Sequence, residues 1–314
     1  RTLASRSTAR CSLSLPSPTL TPLTAWSRSL RLASRRTLLP EMAMTGGPND
    51  DYLGWDRISK GSLRSARRLS SRRGRDESGL FLVEGAQAVR EALAWPGKVN
   101  LLATSDPARD AEHVEVATCR GVRVVVLTDE DVNALSDTVT SQGIFAVCRQ
   151  VTRRELPDEA VRLAVICAQV RDPGNAGTVI RCADAFGADC VILTRGSVDP
   201  HNPKTVRSSV GSIFHLPVVV GVELADAVEW AHQHQMSVLA ADGGGHSLDV
   251  VARSGCLKRP IAWLMGNEAW GLPEADRALA DEIVGVPMWG AAESLNLSTA
   301  AAVVLYATAS EQRA

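Results

Sequence analysis

Between residues 162 and 287 the chain returns six times to a short, almost unbroken apolar run: RLAVICAQV (162–170), DCVILT (189–194), LPVVVG (216–221), MSVLAA (236–241), PIAWLM (260–265) and EIVGVP (282–287). Strands apolar on both faces need cover on both faces. Helical patterns lie between these runs, so the spacing predicts a mostly parallel sheet sandwiched by helices, an α/β fold. Bottom-up rules give this sheet an unknotted, doubly wound connection. No internal repeat is visible.

A smaller α/β layer precedes it. Strand-like LFLV (80–83), VNLLAT (99–104), VRVVVLT (122–128) and GIFAVC (143–148) alternate with helices through Ala94, near 107–120 and near 129–136. Polar, Pro-containing RQVTRRELPDEA (149–160) follows and reads as a linker, taken as 151–160. The expected organisation is therefore a domain over 49–150, the linker, and a second domain over 161–314. Residues 1–48 are rich in Ser, Thr, Leu, Pro and Arg, with no acidic residue before Glu41. That composition cannot bury a core. It resembles an organellar transit peptide, while MAMTGGPNDDYLGW from Met42 reads as a native start; the segment is treated as an ill-defined or spurious leader.

Net charge is −1, with 34 Lys and Arg against 35 Asp and Glu, so any nucleic-acid partner must be met by a local patch. One such patch is DRISKGSLRSARRLSSRRGRDESG, where Arg57, Lys60, Arg64, Arg67, Arg68, Arg72, Arg73 and Arg75 form a basic helix over 57–75 with Leu63, Ala66 and Leu69 at helical spacing. It fits RNA phosphates, the alternative being an ordinary solvated face. Of the seven cysteines none forms a C-x-x-C pair, and most sit in apolar runs, so zinc is not expected and a reducing compartment is. The expected location is cytoplasmic, or organellar if 1–41 is a real leader. No apolar run reaches the ~18 residues that span a membrane.

Three stretches carry chemistry. VRDPGNAGTVIRCADAFGAD (170–189) takes a strand through a Pro-Gly turn into a helix, and strand ends of this kind bind ligands. There Asn175 can cap the helix or meet a ligand, and Arg181 can project a phosphate-matching fork or simply face solvent. LMGNEAWGLP (264–273) is a strand followed by a glycine-bounded loop, with Glu268 as an acceptor or an exposed turn carboxylate. VPMWGAAESLNLSTAAAVVLY (286–306) places Ser294 as an N-cap of the last helix and Asn296 in its first turn. No G-x-G-x-x-G and no G-x-x-x-x-G-K-[ST] occurs, which disfavours a Rossmann oxidoreductase or an ATP site.

In this order and spacing, the three stretches resemble the motifs of the SpoU/TrmH family of S-adenosylmethionine-dependent tRNA/rRNA 2′-O-ribose methyltransferases. ESGLFLVEGAQAVREAL and LSDTVTSQGIFAVC are similar to that family's L30e-like RNA-recognition module, so the likeness spans about residues 57–308. The resemblance implies a SPOUT fold with a deep C-terminal trefoil knot that forms the cofactor pocket, a homodimer, and a site completed by first-motif residues of the partner subunit. By position, Asn175, Arg181, Glu268, Ser294 and Asn296 match catalytic residues. Gly266, Val286 and Leu295 match positions that hold the adenosine, joined as cofactor contacts by Asn267, Gly271, Met288, Ser298 and Ala241. Arg64, Arg67, Arg68, Arg72, Arg73, Lys204 and Arg207 are the candidate RNA contacts. The sequence departs at Ala269-Trp270, where many members have smaller or acidic residues, and at LAADGGGHS (239–247), which lacks a threonine some members place there.

The implied reaction needs no metal: a ribose 2′-hydroxyl attacks the sulfonium methyl in line and a neutral thioether leaves. A guanidinium keeps its proton in proteins, so Arg181 fits a phosphate clamp and charge stabiliser better than a base. The N-terminal module favours rRNA over tRNA as substrate. The competing reading is an RNA-binding protein of the same fold without catalysis, which binding of S-adenosylmethionine would discriminate.

Overall fold

The computed structural model describes residues 54–314; the expected leader lies outside the described residues. The basic segment forms two short helices, α1 (Lys60–Arg68) and α2 (Arg72–Ser78), rather than one basic helix. Leu69 is buried at the break, and Ser71 caps α2 by accepting from the Gly74 N–H at 3.1 Å. A helical period that ran on through Leu69 concealed this interruption.

Four strands follow, β1 (Leu80–Glu84), β2 (Val99–Thr104), β3 (Arg123–Val126) and β4 (Ile144–Arg149), with helices α3 (Ala86–Ala94), α4 (Ala111–Cys119) and α5 (Asp129–Leu135) between them. They form a mixed sheet in the order β1-β4-β2-β3, where only β2 and β3 run parallel.

The second sheet has six strands in the order β10-β8-β9-β5-β6-β7, and all its pairs are parallel. Its strands are β5 (Leu163–Cys167), β6 (Cys190–Leu193), β7 (Val218–Val220), β8 (Ser237–Ser247), β9 (Ile261–Met265) and β10 (Glu282–Gly285). The inner strands β5 and β9 are buried at every position, which is what their unbroken apolar runs require. Helices α6 (Pro173–Ala185), α7 (Pro203–Ser209), α8 (Leu224–Gln233), α9 (Leu248–Arg253) and α10 (Glu274–Arg277) connect them, and α11 (Leu297–Arg313) closes the chain. Trp263, fully buried on β9, donates from its indole nitrogen to Thr308 Oγ1 on α11 at 2.9 Å. The Gln312 side chain donates to the Arg162 and Arg259 carbonyls. The last helix thus returns across the middle of the sheet.

β8 runs six residues beyond the apolar run that announced it, through the polar tail from Asp242 to Ser247. Its register against β10 jumps between Ile283 and Val284, so Ala240 pairs with Ile283 while His246 pairs with Val284. The intervening bulge leaves residues 241–245 without a partner on β10, while Ala241 still pairs with Met265 on β9.

The two sheets are tied side chain to side chain. Arg75, 2% exposed, pairs with Asp199 at 2.6 Å and donates to the Leu69 and Ser70 carbonyls. The Phe81 ring lies 4.5 Å from that of His201 and 5.9 Å from Phe214. His215 sits between Asp184 (2.7 Å) and Glu91 (3.3 Å). The segment expected to be a plain linker is also engaged: the Arg153 N–H donates to the Val218 carbonyl, Val220 N–H to the Arg153 carbonyl, and Trp230 Nε1 to the Pro157 carbonyl. The Arg153 backbone is satisfied by the sheet edge, a pairing that composition does not announce.

Candidate active site

A cleft of about 570 Å³ opens where β8, β9 and β10 end. This is the carboxyl edge of the parallel sheet, where such sheets bind ligands. Three stretches wall it: the β8 bulge, the loop after β9, and the segment from Val284 into α11.

The loop after β9 is built on a close backbone approach. Asn267 and Gly271 exchange two backbone hydrogen bonds of 2.9 Å. A Cβ on Gly266 would stand 2.6 Å from the carbonyl carbon of Gly271 and 2.8 Å from the Leu272 nitrogen, so only glycine fits. Asn267, 6% exposed, donates from Nδ2 to the Gln169 carbonyl at 2.6 Å and accepts at Oδ1 from the Ala269 N–H at 2.8 Å. Gln169 itself holds a left-handed φ of 52°, a strained conformation for a residue with a side chain. Asn267 thereby staples the β9 loop to the β5–α6 turn.

Glu268 completes that staple. Its carboxylate accepts from the Arg171 and Asp172 N–H groups and from Asn175 Nδ2, each at 3.2 Å. Asn175 Oδ1 in turn accepts from Asn296 Nδ2 at 3.1 Å. Asp172, not Asn175, is the N-cap of α6: it accepts from the Asn175 N–H at 2.8 Å and pairs with Lys204 at 3.0 Å. Burial pushes the Asp172 carboxyl up, but the Asn175 N–H and the Lys204 ammonium outweigh it and hold it below the usual carboxylate range. Burial also pushes the Cys167 thiol, at the end of β5, up to about 12, and the Glu268 charge adds to the effect.

At the third stretch the cap falls two residues later than the sequence suggested. Asn296 is the N-cap of α11, accepting at Oδ1 from the Ser298 N–H (2.9 Å) and from the Ser298 hydroxyl (2.6 Å). Ser294 lies before the helix and lines the cleft. Both side chains can cap, so the choice rests on where the chain turns into the helix.

Most of the expected residues meet at this one place. Glu268, Ser294 and Asn296 line the cleft with Ala241, Gly266, Asn267, Gly271, Val286, Met288 and Leu295. Asn175 joins through its hydrogen bonds, and Ser298 is engaged in the cap rather than in the wall. Arg181 is exposed on α6, makes no hydrogen bond or ion pair with a described residue, and is not part of the cleft wall. Sequence reasoning missed Asp242, Gly243, Met265, Val284, Glu293, Leu297 and Ala300. Met265, Val284 and Glu293 adjoin recognised motifs; the β8 bulge left no periodic signal.

The basic residues are more dispersed. Arg68 and Arg73 both grip Glu77 at 2.6 Å, and Arg72 lies 3.7 Å from Asp76. Arg207 is held by Glu84 and Asp137. Arg64 and Arg67 are exposed and make no ion pair with a described residue. Among the described residues no cluster of His, Cys, Asp and Glu is arranged to hold a metal ion, and no helix is long and apolar enough to cross a membrane.

The cleft wall carries three carboxylates, Asp242, Glu268 and Glu293, and no Lys or Arg. A polyphosphate cofactor would find no counter-charge there. Apolar Met265, Val286, Leu295 and Ala300 beside backbone amides and carboxylates suit a flat nucleoside carrying a cationic, amino-acid-like arm, which is the chemistry of S-adenosylmethionine.

Fold and cleft together define a two-sheet α/β protein with a nucleoside-type ligand site at the carboxyl edge of its parallel sheet. Residues 162–306 match the SpoU rRNA Methylase family and residues 60–146 match the MRM3-like substrate binding domain. The 23S rRNA (guanosine(2553)-2′-O)-methyltransferase RlmP of Bacillus subtilis is 34% identical over 248 residues, 78% of this chain and 94% of that relative. The mitochondrial rRNA methyltransferase 3A of Danio rerio is 29% identical over 304 residues, 81% of this chain and 70% of that relative. The crystal structure of the SpoU methyltransferase AviRb from Streptomyces viridochromogenes in complex with the cofactor AdoMet superimposes with a TM-score of 0.69 at 27% identity, covering 82% of this chain and 99% of that one. The chain belongs to the SpoU rRNA methylase family.

Proposed function

We propose that this protein is an S-adenosylmethionine-dependent methyltransferase acting on a ribose 2′-hydroxyl of rRNA. The observation that carries the reading is the hydrogen-bonded relay from Glu268 through Asn175 to Asn296, which gathers three distant stretches beside a cleft free of cations. S-adenosylmethionine supplies an electrophilic methyl group. Gly266, Asn267, Gly271, Val286, Met288 and Leu295, with Ala241 at the bulge, would hold its nucleoside. Ser298 acts on the site through the Asn296 cap.

Glu268 already accepts three hydrogen bonds, so its role is to position Asn175 and the first-motif turn. The Asn296–Asn175 pair and Ser294 orient the ribose and its departing proton. Arg181 clamps the target phosphate and stabilises charge developing on the 2′-oxygen. It does so from a second copy of the chain: on its own subunit it is exposed, unpaired and outside the cleft wall. The active unit is accordingly a homodimer.

The proposed domains are an L30e-like RNA-recognition domain over 49–150, a connection over 151–160, and a SPOUT domain over 161–314. The trefoil knot of that fold is supported by strand order, with β10 outside β8 while α11 returns over β9. Arg64 and Arg67 are the strongest RNA contacts, with Arg68, Arg72, Arg73, Lys204 and Arg207 recruited by exchanging their carboxylates for phosphates. The proposed location is the cytoplasm, or an organelle if residues 1–41 are a leader.

Calorimetric titration with S-adenosylmethionine tests the reading. Stoichiometric binding that Gly266→Ala abolishes is expected; a folded protein that binds none would remove the enzymatic reading.

A further inference from the structure

We infer that Arg171 and Trp270 form a stacking subsite for an unpaired base of the RNA, at the edge of the cofactor cleft. The inference rests on the proposed methyltransferase reading and adds to it where the RNA chain is gripped beside the reacting ribose.

Trp270 lies two residues beyond Glu268 in the loop after β9. It lies in the loop closed by the reciprocal Asn267–Gly271 hydrogen bonds, so its backbone is fixed. Even so, the residue is 48% exposed. The guanidinium carbon of Arg171 stands 4.9 Å from the ring centroid. Arg171 is exposed and makes no ion pair with a described residue, leaving its charge open to a phosphate.

The pair is anchored to the site itself. The Arg171 N–H donates to Glu268 Oε2, and the other oxygen of that carboxylate holds Asn175. A base stacked on this platform would therefore have its backbone within reach of the residues proposed to orient the ribose.

The surroundings select among occupants. An apolar protein partner would need an apolar rim, yet Trp270 lies under the Arg171 guanidinium, and the Arg171 backbone is bound by the Glu268 carboxylate that also holds Asp172 and Asn175. An arginine against an indole is a surface that accepts a π-face and an adjacent phosphate together. Because every base has a π-face, this subsite contributes grip rather than sequence choice.

The test uses Trp270→Ala, Trp270→Phe and Arg171→Ala in the full chain, with an unmethylated in vitro transcript of large-subunit rRNA as substrate. Loss of one base stack should raise KM for the RNA by roughly 5- to 150-fold in Trp270→Ala, with kcat and the affinity for S-adenosylmethionine little changed. Trp270→Phe should restore most of the loss, because it keeps a flat face; Arg171→Ala should raise KM and flatten its salt dependence. Unchanged KM in Trp270→Ala, or failure of phenylalanine to rescue, would overturn the subsite. So would a changed subunit state in size-exclusion light scattering, which would make Trp270 a contact between copies. If the wild type binds no S-adenosylmethionine, the broader reading fails instead.

Discussion

Asn296 Nδ2 donates to Asn175 Oδ1 over 3.1 Å, joining the cap of the last helix to the first turn of α6 across 121 residues of chain. Asn175 passes the connection on to Glu268 through its own amide. Each asparagine therefore has a side chain committed on both ends, and neither can turn without disturbing the other.

Removing one of these partners should accordingly spoil what the other does. Asn175→Ala and Asn296→Ala are each expected to lower methyl transfer, and the double variant should fall short of the sum of the two effects by about 0.5–3 kcal/mol. Asn296→Ala should also lose about 1 kcal/mol of stability, because the cap of α11 goes with it. Steady-state kinetics of the four proteins checks this; strict additivity would mean the hydrogen bond does not couple the two residues.

Gly266→Ala should disable cofactor binding rather than catalysis alone. The new methyl would sit 2.6 Å from backbone, and backbone must move to admit it. Overpacking of this kind costs about 1–3 kcal/mol. Calorimetry with S-adenosylmethionine, paired with a melting curve, should show lost affinity in a protein that still folds; retained affinity would mean the loop is softer than its paired hydrogen bonds suggest.

Arg181→Ala is expected to reduce transfer by ~100- to 1,000-fold with little change in cofactor affinity. Lysine should rescue little, since it keeps the charge but not the fork. Mixing Arg181→Ala with Asn296→Ala subunits should restore part of the activity, because one class of mixed site is then intact. No recovery despite demonstrated subunit exchange would place Arg181 in the service of its own chain.

The docking of the two sheets should depend on Asp199. Burial pushes its carboxyl up, but hydrogen bonds from His201 and the Arg75 ion pair overcome this and hold it well below the usual carboxylate range. A depressed folded value stabilises the protein above the unfolded pKa of about 3.9, and that stability is lost as pH falls through the folded value. Asp199→Ala leaves the buried Arg75 unpaired and should cost about 3–5 kcal/mol at neutral pH. Melting temperatures across a pH series should show the gap between wild type and variant constant above about pH 5 and narrowing in strong acid. A gap of the same size at all pH values would contradict the ion-pair account.

The strands were legible because burial on both faces writes itself as an unbroken apolar run, as at Leu163–Cys167 and Ile261–Met265. The membership of the cleft was legible because its motifs keep their order and spacing. What escaped depends on contacts distant in sequence or on conformation. The break between α1 and α2 follows from a Ser71 cap inside an uninterrupted helical period. The β8 bulge is a register jump against β10, which no single strand encodes. The cap at Asn296 rather than Ser294 reflects where the chain turns into α11. Arg171 was passed over because its two contacts, with Glu268 and Trp270, lie almost a hundred residues away.

The central claim is most directly tested by where a methyl group goes. The purified protein would be incubated with S-adenosylmethionine carrying a deuterated methyl and with unmethylated large-subunit rRNA, and the RNA digested both to oligonucleotides and to nucleosides for mass spectrometry. Label on a ribose 2′-oxygen at a single nucleotide, absent with Arg181→Ala, is the predicted result; label on a base, or none with cofactor bound, would contradict the account.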